Sequence, residues 1–456
     1  MPDTFQSFRT DLGPLGGDVT LVLCGFLFLG LYVAWNVDPW RSLLAWVSTT
    51  SIQFSAGSFH TSVSDLFLLP LLIGTLITWA GSRNKGVKPP TAVLVFALLF
   101  LTIGNIVTAF TLGRLPQWTW LNKDLGLLAL LIPYWSMLTL CHDQSRTEKL
   151  LKTFLVSVSI LNLIGLALYV SSLFTGFGSF VNYGGMRFIG FMLDPNGYAG
   201  LTAVAAIIQV ATLILRPKTG VATLLYLLNS CALVAGCLLT LSRGGFLSLL
   251  AGGLMLLLFT KGRSAYAIAF VLLAISIGVH ELSESTDLNA ATQRRADDRG
   301  AIDSRIDFME QGMKMYLSSP LTVATGIGIG TFIDESPQFF GDAHQIHNTY
   351  VWLLVEGGPL IFGAYLLILC RCLRQNFSIY RRSLQLRYAA AGCFCALVAT
   401  IVWCSSVEGA YHHHVWILLA FSELLYSHSR RALSSQQFQV RPFDPPFHYT
   451  PVLSQA

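Results

Sequence analysis

Apolar runs of about 20 residues recur along the whole chain. They fall near 19–37, 63–80, 91–110, 121–141, 151–174, 196–215, 221–241, 244–260, 264–280, 347–373, 387–407 and 411–428. A helix of that length covers roughly 30 Å, the thickness of a bilayer's hydrocarbon core. The pattern therefore predicts an all-α polytopic membrane protein with about 12 transmembrane helices. Residues 40–54 are apolar but short and rich in Ser and Thr, which suits an interfacial or re-entrant piece better than a further span. The first run lacks a small-residue cleavage site after it and reads as a retained helix behind a leader at 1–18. The chain thus reads as one integral membrane domain, 1–456, with a tail at 429–456.

One long polar segment, 281–346, interrupts the series. Within it Ile302, Ile306, Met309, Met313 and Tyr316 recur at helical spacing. They predict a short amphipathic helix over 302–318 that carries Arg305 off its apolar stripe and ends at Ser318-Ser319-Pro320. Gly326-Ile327-Gly328-Ile329-Gly330 reads as a flexible turn; with no strand before it, it is not a dinucleotide fingerprint. The segment then runs into AHQIHNTYVWLLVEGG, Ala343 to Gly358, where a polar cluster feeds an apolar helix that buries Glu356 about 13 Å along its axis.

Charge fixes the orientation. Only 12% of residues are charged against 53% hydrophobic. With the N-terminus inside, the short inner segments hold 19 of the 29 Lys and Arg, and the outer segments hold 9. That asymmetry obeys the positive-inside rule and predicts both termini in the cytoplasm, with 281–346 as a large outer, periplasmic loop. A thirteenth span would invert the pattern downstream. The net charge of +5 carries no sign of nucleic-acid binding. The nine cysteines lie in or beside apolar runs and make neither a disulfide framework nor a zinc pattern.

Single charges that orientation does not require gather on the outer side. Arg187 precedes one span, Arg243 sits in a Ser-Arg-Gly-Gly hairpin, Arg305 lies on the loop helix, and His347 opens the span at 347–373. Guanidinium groups bind phosphate oxygens in pairs and stay charged at physiological pH. Converging at a membrane surface, they make a diphosphate cradle without a metal, beside a histidine able to take a proton. Arg187, Arg243, Arg305 and His347 are thus the candidate catalytic set. Asn196, Asn348, Glu356 and Glu408 are candidate substrate-contacting residues. Each has a plainer reading as well: headgroup snorkelling for Arg187, a simple turn at Arg243, a solvated loop residue at Arg305. Helix capping would serve for His347 or Asn348 and for Asp194-Pro195-Asn196, and a structural pairing for Glu356. His412-His413-His414 point in different directions on a helix, so no metal and no cofactor is expected.

These stretches resemble the O-antigen ligase/polymerase superfamily of bacterial envelope glycan enzymes. The resemblance rests on Arg187 with Gly190 and Asp194-Pro195-Asn196, on Ser242-Arg243-Gly244-Gly245, and on Arg305 followed by Pro320 and the Gly326-x-Gly328-x-Gly330 run. His347-Asn348 with Glu356-Gly357 completes it, and Asp65 also fits. It implies an inner-membrane glycosyltransferase with its active site on the periplasmic side. The donor would be an undecaprenyl-diphosphate-linked glycan, and the acceptor a lipid A core or a growing polysaccharide. By position, the three arginines would hold the diphosphate, His347 would be the base or acceptor-positioning group, and Glu408 the acidic group near the second-last span. Ligase and polymerase both remain open. A small-anion, bicarbonate-like transporter is the alternative of another class, but it should carry its charges near the bilayer midplane. A scaffold without chemistry is the third reading.

Overall fold

A computed structural model of the chain describes residues 38–56, 59–81, 86–116, 119–183, 187–216, 220–260 and 300–439. The expected leader and the spans at 19–37 and 264–280 lie outside these residues, as do positions 281–299 of the outer loop and 440–456 of the tail.

The molecule is helical almost throughout. Helix α1 (Pro39–Thr49) is 11 residues long and begins with Asp38 capping Trp40 and Pro39 in its first turn. At roughly 16 Å it is too short to cross a bilayer, in keeping with an interfacial piece. A two-stranded hairpin follows, β1 (Gln53–Ala56) against β2 (Phe59–Ser62), and leads into α2 (Val63–Gly81). Then come α3 (Thr91–Leu112), α4 (Asn122–Leu140) and α5 (Gln144–Thr175). A two-residue pairing of β3 (Asn182–Tyr183) with β4 (Arg187–Phe188) precedes α6 (Pro195–Leu215), α7 (Val221–Leu239) and α8 (Arg243–Phe259).

Among the described residues, eight helices are long and apolar enough to cross a membrane, and α8 is a shorter apolar helix. The count of twelve is therefore not reached. Two of the missing four lie outside the described residues. The other two are α8, at 17 residues, and the last helix, whose apolar stretch is shared with histidines and Glu423.

The long polar segment has order of its own where it is described. Helix α9 (Gly300–Tyr316) falls where the amphipathic repeat placed it. Three short helices follow: α10 (Pro320–Thr325), α11 (Thr331–Glu335) and α12 (Pro337–Phe340). Ser319 caps α10 with a reciprocal capping box to Thr322. The chain then enters α13 (Thr349–Arg382), α14 (Arg387–Cys404) and α15 (His413–Gln439).

Helices α6, α8 and α14 form the packed centre, with α13 against α14. Small residues let them approach. A Cβ at Gly200 would strike the Trp403 indole ring, and one at Gly252 would meet Ala399 at 3.0 Å. Such contacts are the means by which membrane helices associate, since lipid tails are as apolar as the side chains. The outer faces of α7 and α8 show Leu224, Leu225, Leu228 and Leu258 to the surroundings, as lipid-facing surfaces do.

Helix α13 is broken in the middle. Gly358 adopts φ 70° and ψ 178° and is followed by Pro359. Proline has no N–H for the carbonyl four residues back, here that of Val355. The loop supplies the missing donors: Ile327 N–H bonds the Val355 carbonyl at 2.9 Å, and Gly328 N–H bonds the Glu356 carbonyl at 3.0 Å. Irregular backbone at this depth is tolerated because it is buried in protein and paired.

Candidate functional site

The first arm of the site is built at the start of α6. Asp194 caps the helix by accepting the N–H groups of Asn196 and Gly197 at 3.1 and 2.8 Å, with Pro195 in the first turn. Of the two capping residues considered, Asp194 is the one used, which leaves the Asn196 amide for other partners. Its Oδ1 accepts from Arg187 Nη2 at 3.3 Å and from Ser242 Oγ at 2.9 Å. Arg187 Nε also donates to the Thr240 carbonyl at 2.9 Å. Both of these acceptors are uncharged, and they orient the guanidinium. Thr240 belongs to the tight turn between α7 and α8, where Leu241 has φ 51°, the only positive value at a non-glycine among the described residues. Ser242 then caps α8 through Gly245 N–H at 3.2 Å and sets Arg243 at the first helical position, half-buried. Asn196 thus ties Arg187 to the Ser242-Arg243 turn across 46 residues of chain.

The second arm is the segment 405–412 between α14 and α15. Arg305 on α9 reaches the Ser406 carbonyl at 3.5 Å. On the other side of Ser406, its hydroxyl occupies the place a Cβ at Gly244 would take. Ser406 therefore stands between the Arg243 turn and the Arg305 helix. Thr349, the first residue of α13, clamps the same segment: its Oγ1 donates to the Val407 carbonyl at 2.6 Å and accepts Gly409 N–H at 2.7 Å. Glu408, held between those bonds, accepts from Lys123 Nζ at 2.5 Å, with 12% and 5% of the two side chains exposed.

His347 lies two residues ahead of the first residue of α13. Burial and the Arg305 guanidinium push its imidazole below the ordinary histidine value, while Glu408 and Asp194 pull the other way and His344 adds a small push down. The ring therefore lies within electrostatic reach of both arms. Among the described residues nothing bonds its ring nitrogens, and Asn348, not His347, caps α13, accepting Tyr350 and Val351 N–H at 3.0 and 3.2 Å. Arg305 and Glu408 thus act on His347 electrostatically, in opposite senses. The structure joins Arg187, Asn196 and the Arg243 turn by hydrogen bonds and connects the two groups through Ser406 and Asp194.

Glu356 stands apart. It is 2% exposed, and its carboxylate accepts Gly330 N–H at 2.7 Å, Phe332 N–H at 3.0 Å and Trp352 Nε1 at 2.6 Å. It anchors the glycine run from below. That run is consequently not a flexible turn. Gly326, Gly328 and Gly330 have φ of 79°, 100° and 78°, and Cβ atoms there would strike Glu356, Thr108 and Thr119 respectively. Alternating glycines let the backbone wedge between α3 and α13.

Two site neighbours were not singled out in the sequence. Lys123 stood in plain view as a lone lysine at the start of an apolar span, which is itself a signal for function. Trp403, whose Nε1 donates to the Asn196 carbonyl at 2.9 Å, carried no signal, because tryptophans are common at membrane interfaces. Of the three consecutive histidines, His412 and His414 lie against Trp403, with ring centroids 4.8 and 4.9 Å away, and His413 approaches Asp65 at 3.6 Å. Among the described residues no group of three or more His, Cys, Asp or Glu side chains is disposed to hold a metal ion.

Fold and site together define a polytopic membrane protein with a cluster of arginine, histidine and carboxylate side chains at one end of its helix bundle. Residues 228–368 match the family model described as O-antigen ligase. That match supports the resemblance to the O-antigen ligase/polymerase superfamily over this part of the chain. The matched stretch contains Arg243, Arg305, His347, Asn348 and Glu356. No curated protein matches the chain.

Proposed function

We propose that the protein is a glycosyltransferase of the O-antigen ligase type. It would move a glycan from an undecaprenyl-diphosphate donor to a hydroxyl of a lipid A core or a growing polysaccharide. Arg187, Arg243 and Arg305 hold the diphosphate, and His347 takes the acceptor's proton. The acceptor oxygen attacks the anomeric carbon, and the bond from that carbon to the diphosphate oxygen breaks. The proton passes to His347, and undecaprenyl diphosphate leaves with its charge held by the arginines. Attack from the face opposite the leaving group inverts the anomeric centre. No metal is needed in this scheme, because guanidinium groups supply the positive charge.

The observation that carries the reading is the place of His347. It is a half-buried imidazole with no hydrogen bond to its nitrogens among the described residues, on which Arg305 and Glu408 act electrostatically. A base of this kind must be neutral at physiological pH, and its surroundings push it that way. The positive-inside count supports a periplasmic site in the inner membrane with both termini cytoplasmic. Asn196, its Oδ1 bonded to Arg187 and Ser242, acts by holding the first arm. Asn348 and Glu356 likewise act through the backbone they fix.

The test uses the full-length protein in nanodiscs with a synthetic undecaprenyl-diphosphate glycan and a hydroxyl acceptor. Glycan transfer with release of undecaprenyl diphosphate is the expected result. Absence of transfer to either a lipid A core or a glycan chain would overturn the reading.

A further inference from the structure

Lys123 has no part in the scheme above, yet it is built into the same end of the bundle. An ammonium buried at the start of α4 is costly unless it is paired. Its Nζ meets Glu408 and lies 4.8 Å from the ring centroids of both Trp352 and Tyr411. Trp352 stands five residues after His347 on α13, and Tyr411 three residues after Glu408. Thr349, two residues from His347, binds the chain on both sides of Glu408. Glu408 is thus fixed to the His347 end of α13 by the threonine clamp and to α4 by the ion pair.

We propose that Lys123 is a positioning residue: by holding Glu408, it sets the charge that faces His347 and so the readiness of the imidazole to accept the proton. This rests on His347 acting as the base. The other charged groups facing the ring are Asp194 ahead of α6, Arg305 on α9 and His344 in its own loop. With Lys123 in place the Glu408 carboxylate pulls on the imidazole less than it would alone. Without Lys123 the carboxylate favours the imidazolium more strongly. Without Glu408 that favourable charge is gone and the ammonium beside it remains.

The experiment reads His347 directly. Full-length protein in nanodiscs is pulsed with diethyl pyrocarbonate across a pH series. Carbethoxylation of the His347 peptide is quantified by mass spectrometry, which separates it from His412–His414. Lys123→Met should move the midpoint up, and Glu408→Gln should move it down, each by on the order of one pH unit. The double variant Lys123→Met/Glu408→Gln should fall between the two single variants, and the acid limb of glycan transfer should follow the same order. Wild-type midpoints in all three variants would overturn the proposal.

Should Lys123→Met fail to insert, the double variant carries the test, because it removes both members of the ion pair. Titration of the double variant like Glu408→Gln would also overturn the role of Lys123. Midpoints that move as stated in a protein that transfers no glycan would sink the glycosyltransferase reading and leave the role of Lys123 standing. Unmoved midpoints with normal transfer would do the reverse.

Discussion

The Glu356 carboxylate accepts the backbone N–H of Gly330 at 2.7 Å, across the junction between the long polar segment and the kinked helix α13. Phe332 N–H and the Trp352 indole complete its shell. The loop in turn donates to the two carbonyls that the Gly358-Pro359 break releases. Loop and helix are one unit, and the segment from Arg305 to His347 is held to the bundle through it.

Glu356→Ala should therefore act on the loop first. It strands three buried donors, and each unsatisfied group costs roughly 1–3 kcal/mol. Thermal unfolding in detergent should fall sharply, and limited proteolysis should open sites between residues 326 and 346. Glu356→Gln keeps an acceptor and should lose less. Equal stability of both variants and wild type would contradict the anchor.

The glycine run gives a graded prediction. Gly328→Ala puts a Cβ 2.5 Å from the Thr108 backbone at φ 100°, so clash and backbone strain add, for a loss above about 2 kcal/mol. Gly341→Ala has a similar φ, 81°, with nothing within 4 Å, and should lose only about 1 kcal/mol. Gly363→Ala lies in α13 with open space and an ordinary backbone, and should hold or gain stability. Melting temperatures of the three variants check the order.

Much of this was legible before any coordinates. The 3.6-residue repeat from Ile302 to Tyr316 marked α9, and the apolar runs marked the long helices, although α5, α13 and α15 extend seven to eleven residues past them at one end. His347, Arg305 and Glu408 were singled out because isolated charges at membrane ends are costly without a purpose. What the sequence hid were pairings across distance. Lys123 and Glu408 are 285 residues apart, and no local pattern links them. The glycine run read as flexible because glycine permits both looseness and close approach; only the packing of Thr108, Thr119 and Glu356 around it shows which. Asp194 and Asn196 both read as caps; Asp194 takes that place, while Asn196 Oδ1 accepts from Arg187 and Ser242.

The threonine clamp makes a separate prediction. Thr349→Val keeps the shape but removes the hydroxyl, leaving the Val407 carbonyl and Gly409 N–H unpaired. A stability loss of about 1–3 kcal/mol should accompany a fall in glycan transfer, since Glu408 loses its fixed place. Thr349→Ser should restore both. The pairing is checked by melting temperature alongside transfer rate; wild-type values for Thr349→Val would contradict it.

The pH dependence follows from His347. Its folded-state value lies below the ordinary 6.5, so the unfolded chain binds the proton more tightly than the native state. Its contribution to stability is complete above about pH 6.5 and is lost as pH falls from there toward the folded value. As a base it works when neutral, so transfer should hold near pH 7 and fall on an acid limb below 6.5. Arg305→Gln removes one of the causes of the depression and should move that limb upward. A limb unmoved in Arg305→Gln would show that the guanidinium does not act on the imidazole.

The most direct test of the site is single-turnover glycan transfer by the purified protein and by its His347→Ala and Arg243→Ala variants. Each variant is first shown to insert and melt like wild type. Release of undecaprenyl diphosphate should fall by at least about 100-fold in each, the scale of a lost general base or of a lost stabiliser of the leaving group. Transfer at the wild-type rate in folded His347→Ala would contradict the assignment of the base and with it the account of the site.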